Sequence, residues 1–290
     1  MAPELTYRDD FSSPRDRAAV YRLLRDVFDV DVSPLEEMGL SDPTYRAFSY
    51  LDDGGCCVAN AATFTLSLIL DSRPVTAMGI QSVATRLRWR RRGLSHDLLE
   101  RALRWCDAST RLVLLMTSIP GFYEPLGFKI MPQFAYAGYA PTALPPLPRC
   151  RRLDLDAGED RQLLAKLLRR RVPVSALFAV NGSPGAFALN VLDHKEFSVW
   201  HSAALDAVMV TAERPDDTLC LVDIAASKMP NLADVLAVLG VRPRRAEVHF
   251  PPDLLGWDGT AVPTETPTVL MIRGDPGSLE PFMIPETAAF

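Results

Sequence analysis

The stretch Ala77–Ala108 constrains this chain more than any other, because one basic loop joins two segments of opposite periodicity. Within Ala77–Thr85, Met78, Ile80 and Val83 read as a short buried strand. From Leu94 onward, Leu94, Leu98, Leu99, Ala102, Leu103 and Cys106 recur at helical spacing on one face. Between the two lies Arg90-Arg91-Arg92-Gly93-Leu94-Ser95. A helix start has backbone N–H groups without intrahelical partners. It also carries the positive end of the helix dipole, roughly half a charge. A glycine there lets a phosphate approach the backbone, and the arginines add mobile positive charge. The physical reading is an anion cradle suited to a di- or triphosphate.

The flanking sequence places that unit in an α+β (α/β) plan. Ser13-Pro14 reads as a capped helix start, followed by apolar Ala19, Leu23, Leu24, Val27 and Phe28. Ser33-Pro34 starts a second short helix ending near Gly39. Strands are expected over Arg46–Leu51 and Cys57–Leu70, with turns at 52–55 and 71–74. Apolar Leu112–Met116 reads as the strand after the long helix, followed by the loop Thr117–Pro120, a short helix near Phe122–Leu126 closed by Gly127, and a strand over Phe128–Tyr136. Residues 141–150, rich in proline and alanine, read as a linker between a domain at 1–140 and a second at 151–290. The second half repeats the plan: a helix over Ala157–Arg170, strands at 197–202, 208–213 and 218–224, a helix over Asn231–Leu239, a strand at 246–250, a short helix at Pro251–Leu255 and a strand at 268–273. Its loop Ala226–Pro230 has neither an arginine run nor a glycine, so no second cradle is expected.

Composition narrows the function classes. The chain has 290 residues, 48% hydrophobic and 23% charged, as ordinary soluble domains do. Its net charge of −5 argues against general nucleic-acid binding, and so against reading Arg86, Arg88 and Arg90–Arg92 as a nucleic-acid patch. No apolar run reaches the ~20 residues of a membrane span, and the polar start lacks a signal-peptide core. The reading is a cytoplasmic protein. The five cysteines show no C-x-x-C pair, and the four histidines are too dispersed to suggest a metal cluster, so no metal is expected.

The residues Arg90-Arg91-Arg92-Gly93-Leu94-Ser95 resemble the Gln/Arg-x-x-Gly-x-Gly/Ala signature of the GNAT acetyltransferases, with Ser95 at the last small position and Leu87 where a proline is usual. Downstream, Phe122-Tyr123-Glu124-Pro125-Leu126-Gly127-Phe128 resembles the family's F-Y-x-x-x-G-F element. The resemblance spans about residues 5–140. It implies a GNAT fold with a splayed central mixed sheet, followed by a degenerate GNAT-like second unit. Two such units also resemble the Eis-type acetyltransferases, whose third, sterol-carrier-like domain this sequence is too short to hold, and which use their C-terminal carboxylate in the active site.

What the resemblance implies for function follows residue by residue. Acetyl-CoA is the co-substrate, held at Val83, Ala84 and Thr85 of the splayed strand, at Arg90, Arg91, Arg92, Gly93, Leu94, Ser95 and His96 of the cradle, and at Ser118 and Ile119 of the following loop. Tyr123 faces the sulfur as general acid. The carboxylate of Phe290 is one candidate proton acceptor, beside Glu286, Asp29 and Asp31; an inserted terminus and a frayed one are both open. The acceptor is a primary amine of a small molecule or peptide, with no nucleic acid and no membrane involved and a homo-oligomer left open. The alternative is an acetyl-CoA-binding sensor or scaffold without catalysis.

Overall fold

A computed structural model describes residues 4–142 and 147–290, so part of the 141–150 linker reading lies outside the described residues. The first half of the chain runs β1 (Thr6–Arg8), α1 (Pro14–Phe28), α2 (Ser33–Glu37), β2 (Arg46–Leu51), β3 (Cys57–Leu70), β4 (Arg73–Thr85), α3 (Leu94–Asp107), β5 (Val113–Thr117), β6 (Lys129–Met131) and β7 (Phe134–Tyr139). Local chemistry accounts for most of these bounds. Ser13 caps α1 by accepting from the Asp16 N–H, and Pro14 occupies its first turn, where a missing N–H costs nothing. Asp71 and Ser72, at φ +48° and +61°, make the two-residue turn between β3 and β4. That turn is shorter than the expected one, since Arg73 and Pro74 already pair with Leu70 and Ile69.

The second half runs β8 (Arg151–Arg152), α4 (Gly158–Leu168), β9 (Phe178–Asn181), α5 (Pro184–Asp193), β10 (Phe197–Ser202), β11 (Ala207–Ala212), β12 (Thr218–Ala226), α6 (Leu232–Leu239), β13 (Arg245–Val248), β14 (Thr260–Pro263) and β15 (Val269–Arg273). Pro251–Leu255, expected as a short helix, is a series of turns.

The strands form two sheets of matching order. One runs β1-β2-β3-β4-β5-β15-β6, with β9 extending alongside the far half of β3; the other runs β8-β10-β11-β12-β13-β7-β14. Each contains one parallel pair at its centre, β4 with β5 and β12 with β13. Each also takes strands from the other half of the chain: β7 enters the second sheet, and β15 and β9 enter the first. β7 lies between β13 and β14, and β15 lies between β5 and β6. The line at 140 therefore does not separate the sheets, and the strand expected over Phe128–Tyr136 is two strands, one in each sheet. Apolar alternation specifies a face but not a partner, which is why this exchange had no local signal.

α3 covers one face of the first sheet through Leu98, Leu99, Ala102, Leu103 and Cys106, packed on Ala59, Ala61, Met78, Ile80, Val113 and Leu115. The opposite face packs Phe64, Leu66, Leu114 and Leu270 against Phe178, Phe282 and Ile284 from the second half. The sheet is thus buried on both sides, and ligand access is confined to its strand ends. Among the described residues, no helix is long and apolar enough to cross a membrane.

Candidate active site

β4 and β5 pair only from Met78–Val113 to Ile80–Leu115, although β4 continues to Thr85 and β5 to Thr117. Beyond Ile80 the two strands part. β4 bends at that point: Ser82 has φ +58°, and the register against β3 shifts between Asn60 and Ala62. Such a bulge re-aims the strand and interrupts its ladder. Asn60, fully buried, fixes it by donating from Nδ2 to the Ser82 carbonyl at 2.8 Å and accepting at Oδ1 from the Ser49 hydroxyl at 2.7 Å. Val83, Ala84 and Thr85 lie just past the bend, on the strand that β5 has left. Asn60 was missed in the sequence; its signal was a lone amide among Val58, Ala59, Ala61 and Ala62.

The basic loop follows directly. Gly93, exposed, is the N-cap of α3 with φ +76° and ψ 0°. Arg91 also has positive φ, +59°. Among the described residues, the N–H groups of Arg91, Arg92, Gly93, Leu94, Ser95 and His96 find no acceptor; the next one, Asp97 N–H, bonds the Gly93 carbonyl at 3.0 Å. A Cβ at Gly93 would meet nothing within 4 Å, so the space over the bend is open. Free N–H groups, a helix dipole and open space together suit an anion of diphosphate size.

The arginines divide by role. Arg86 pairs with Asp26 at 2.6 Å and donates to the Cys57 carbonyl, and Arg88 pairs with Asp52 at 3.2 Å; both are committed to structure. Arg90 donates from Nε to the Thr85 carbonyl at 3.1 Å, tying the cradle to the end of β4. Arg92 stacks 4.7 Å over the buried Trp89 ring. Arg91 makes no hydrogen bond or ion pair among the described residues. Ser95 Oγ lies 2.6 Å from Thr85 Oγ1, so the departure from the Gly/Ala pattern is absorbed by a hydroxyl pair. The His96 ring faces Glu100 at 3.3 Å along the helix surface; its side chain is not brought into the cradle, though its N–H is.

Tyr123 sits on the loop after β5, with Ser118 and Ile119 exposed just before it. Its ring is buried, packed edge-on between Phe122 and Phe128. Burial pushes the phenol up to about 12, with the Thr117 hydroxyl acting weakly the other way.

Two of the carboxylates considered as proton acceptors, Asp31 and Glu286, are engaged elsewhere. Asp31 accepts from the Ser33 N–H and hydroxyl and pairs with Arg25 at 2.9 Å, which together hold it below its ordinary value. Burial alone would raise Glu286, yet the His249 ring 2.7 Å away holds it low. Asp29 closes α1 in a left-handed conformation. The Phe290 ring packs on Phe64 at 5.2 Å, and Asn190 holds the Ala289 carbonyl at 2.9 Å. Its place in acid–base chemistry rests on the resemblance alone.

One cluster went unread in the sequence. His249, counted among dispersed histidines, lies against Cys220 and Glu247 in the second sheet. The available signal was Glu247-x-His249, since residues two apart on a strand share a face.

Residues 12–131 match the family model described as acetyltransferase (GNAT) domain. No curated protein matches the chain. Solved structures align along 93% of it. Eis1 from Mycobacterium abscessus is 16% identical, with 73% of its own chain covered and a TM-score of 0.56. A GCN5-related N-acetyltransferase from Kribbella flavida is 16% identical, 72% covered, at 0.51. A conserved Enterococcus faecalis protein described as a probable N-acyltransferase is 12% identical, 72% covered, at 0.54. At such identities the likeness is one of fold, and it spans both sheets.

Proposed function

We propose, from the match of residues 12–131 to the GNAT acetyltransferase domain, that the chain moves an acetyl group from acetyl-CoA to a primary amine of a small molecule or peptide. The observation that carries the proposal is the run of unpartnered N–H groups at Arg91–His96, open over Gly93 and placed where β4 and β5 part. The N–H run takes the diphosphate of coenzyme A, with Arg91 as its free cation. The bent strand Val83–Thr85 offers main-chain groups to the amide-bearing arm, and a β4 N–H near Val83 steadies the negative charge developing on the thioester oxygen. Tyr123 faces the sulfur.

Each residue then has a physical task. A lysine-like amine has a pKa of ~10.4, so presenting it neutral at pH ~7.4 costs about 4 kcal/mol. With Asp31 and Glu286 engaged, that proton passes to water at the open strand ends. Tyr123 stays protonated throughout the neutral range and donates to the departing thiolate.

A second reading, an acetyl-CoA-binding module without turnover, is favoured by one observation: two of the four carboxylates named as proton acceptors, Asp31 and Glu286, have other partners. Calorimetric titration with acetyl-CoA, followed by thiol-release assays over a panel of amines, separates the two. Binding with amine-dependent thiol release supports the enzyme; binding without release on any amine supports the module. Gly93→Trp fills the open space over the bend and is expected to abolish acetyl-CoA binding. Its left-handed backbone costs a side chain about 1–2 kcal/mol, so the melting temperature falls only a few degrees. Retained affinity would refute the cradle.

A further inference from the structure

We propose that Cys220, Glu247 and His249 form a binding site for a divalent metal ion of zinc type, with Glu286 fixing the histidine. The site lies where the parallel strands of the second sheet part. β12 and β13 pair up to Leu221–Val248, with Cys220 directly opposite Glu247 and the His249 N–H bonding the Leu221 carbonyl. Glu247 and His249 are two residues apart, so the three side chains leave one face.

The distances fit one ion. His249 Nε2 is 3.4 Å from Cys220 Sγ and 2.7 Å from Glu247 Oε1, and that oxygen is 3.7 Å from Sγ. Zinc bonds of ~2.0 Å to nitrogen or oxygen and ~2.3 Å to sulfur, arranged tetrahedrally, hold such atoms roughly 3.3–3.6 Å apart. The edge from sulfur to nitrogen, 3.4 Å, already has that length, and the edge from sulfur to oxygen, 3.7 Å, is slightly longer. The third opens if the Glu247 carboxylate withdraws by roughly half an ångström.

The surroundings fit as well. His249 Nδ1 lies 2.7 Å from Glu286 Oε2, the arrangement by which a ligating histidine is held in one tautomer and one orientation. Arg214 donates to Glu247 Oε1 at 2.9 Å, and a carboxylate has lone pairs for both the guanidinium and an ion. A doubly charged ion, the Arg214 guanidinium, two carboxylates and a thiolate sum to zero charge. Sulfur and imidazole ligands favour zinc over magnesium or calcium. Cys220 and His249 are buried while Glu247 is partly exposed, so the ion enters from the Glu247 side and a water completes the fourth position. On binding, the Cys220 thiol and the His249 ring each release one proton to solvent, and the freed lone pairs bond the ion. Bound metal would pin the turn Glu286–Ala288 to the second sheet, beside the Thr287 hydroxyl bond to buried Asp223.

The test uses the full chain, stripped with a chelator and titrated first with cobalt(II), then with zinc(II) against a chromophoric chelator. The expected result is one ion per chain, a thiolate-to-cobalt charge-transfer band, the intense visible spectrum of four-coordinate cobalt, and displacement by zinc. Cys220→Ser is expected to abolish the charge-transfer band and weaken zinc binding at least ~100-fold, and Glu286→Gln to weaken it about 10–100-fold. Cys56→Ser, which removes the exposed thiol, leaves both signals unchanged. A cobalt spectrum of the unsubstituted chain without a thiolate band overturns the site whether or not the variants fold. So does a band that survives Cys220→Ser; in either case His249 is a charged ring clamped between two carboxylates.

Discussion

In the proposed mechanism Tyr123 has to do two things that pull apart. Packed between Phe122 and Phe128, its phenol is raised to about 12, which keeps it protonated but makes it a weak acid. A thiol has an ordinary pKa near ~8.5, so complete proton transfer from such a phenol runs uphill by about 5 kcal/mol. The phenol therefore acts best as a hydrogen-bond donor to charge gathering on sulfur, in the manner of an oxyanion-hole donor. On this account Tyr123→Phe lowers turnover by about 10²–10³-fold while the acetyl-CoA dissociation constant stays the same. Steady-state kinetics beside calorimetry check this, and unchanged turnover would remove Tyr123 from the mechanism. A raised acid keeps its proton as pH climbs, so phenol ionisation produces no alkaline loss of rate below about pH 12. At the same scale, Gly93 as the start of α3 was legible in the sequence because a helix start is a local pattern, whereas Tyr123 was marked only by the resemblance. The cluster of Cys220 and His249 was not, because only strand pairing brings together residues so far apart in the chain.

The bent strand β4 is the element on which the site depends. Its bulge is held by a single buried side chain, Asn60, which satisfies both the Ser82 carbonyl and the Ser49 hydroxyl. Asn60→Ala leaves these two groups without partners, each at a cost of about 1–3 kcal/mol. The expected outcome is a lower melting temperature together with weaker acetyl-CoA binding; a variant that is destabilised but binds unchanged would separate the bulge from the site. In the second unit, Asp160 near the start of α4 accepts from Arg151 on β8 and from the Asp154 N–H, both at 2.8 Å, which hold its carboxyl at about 2. A lowered carboxyl contributes stability above its unfolded value of 3.8 and loses it as pH falls toward about 2. Asp160→Asn is thus expected to melt earlier than the parent at pH 7, with the gap closing in acid; a gap that does not change with pH would contradict the linkage. Helix starts were readable at this scale because Ser13-Pro14 acts on its own turn. Strand partners were not, because β7 and β15 alternate as any half-buried strand does, whichever sheet receives them.

Across the whole molecule, the exchange of β7 and β15 ties the two sheets together, and the expectation is that they melt as one. Without β15, β6 has no strand to pair with and the β5 edge lies open. An open apolar edge favours association with other chains. Residues 1–140 produced alone are therefore expected to aggregate or to lack a cooperative melt, and co-production with residues 141–290 is expected to restore both. A fragment 1–140 with a sharp melt would show that the exchanged strand is dispensable. The strand order matches in the two sheets and both part at their central parallel pair, but among the described residues the loop after β12 lacks the glycine and arginines of the loop after β4, and the turn at Glu286–Ala288 packs against β12 instead. The claim beneath all of this is that free main-chain donors at Arg91–His96 hold the diphosphate of coenzyme A. Amide hydrogen exchange over the full chain, with and without coenzyme A, reads those donors directly. Slowed exchange across Arg91–His96 in the bound state is the predicted result; coenzyme A bound with those amides exchanging at their free rate would contradict it.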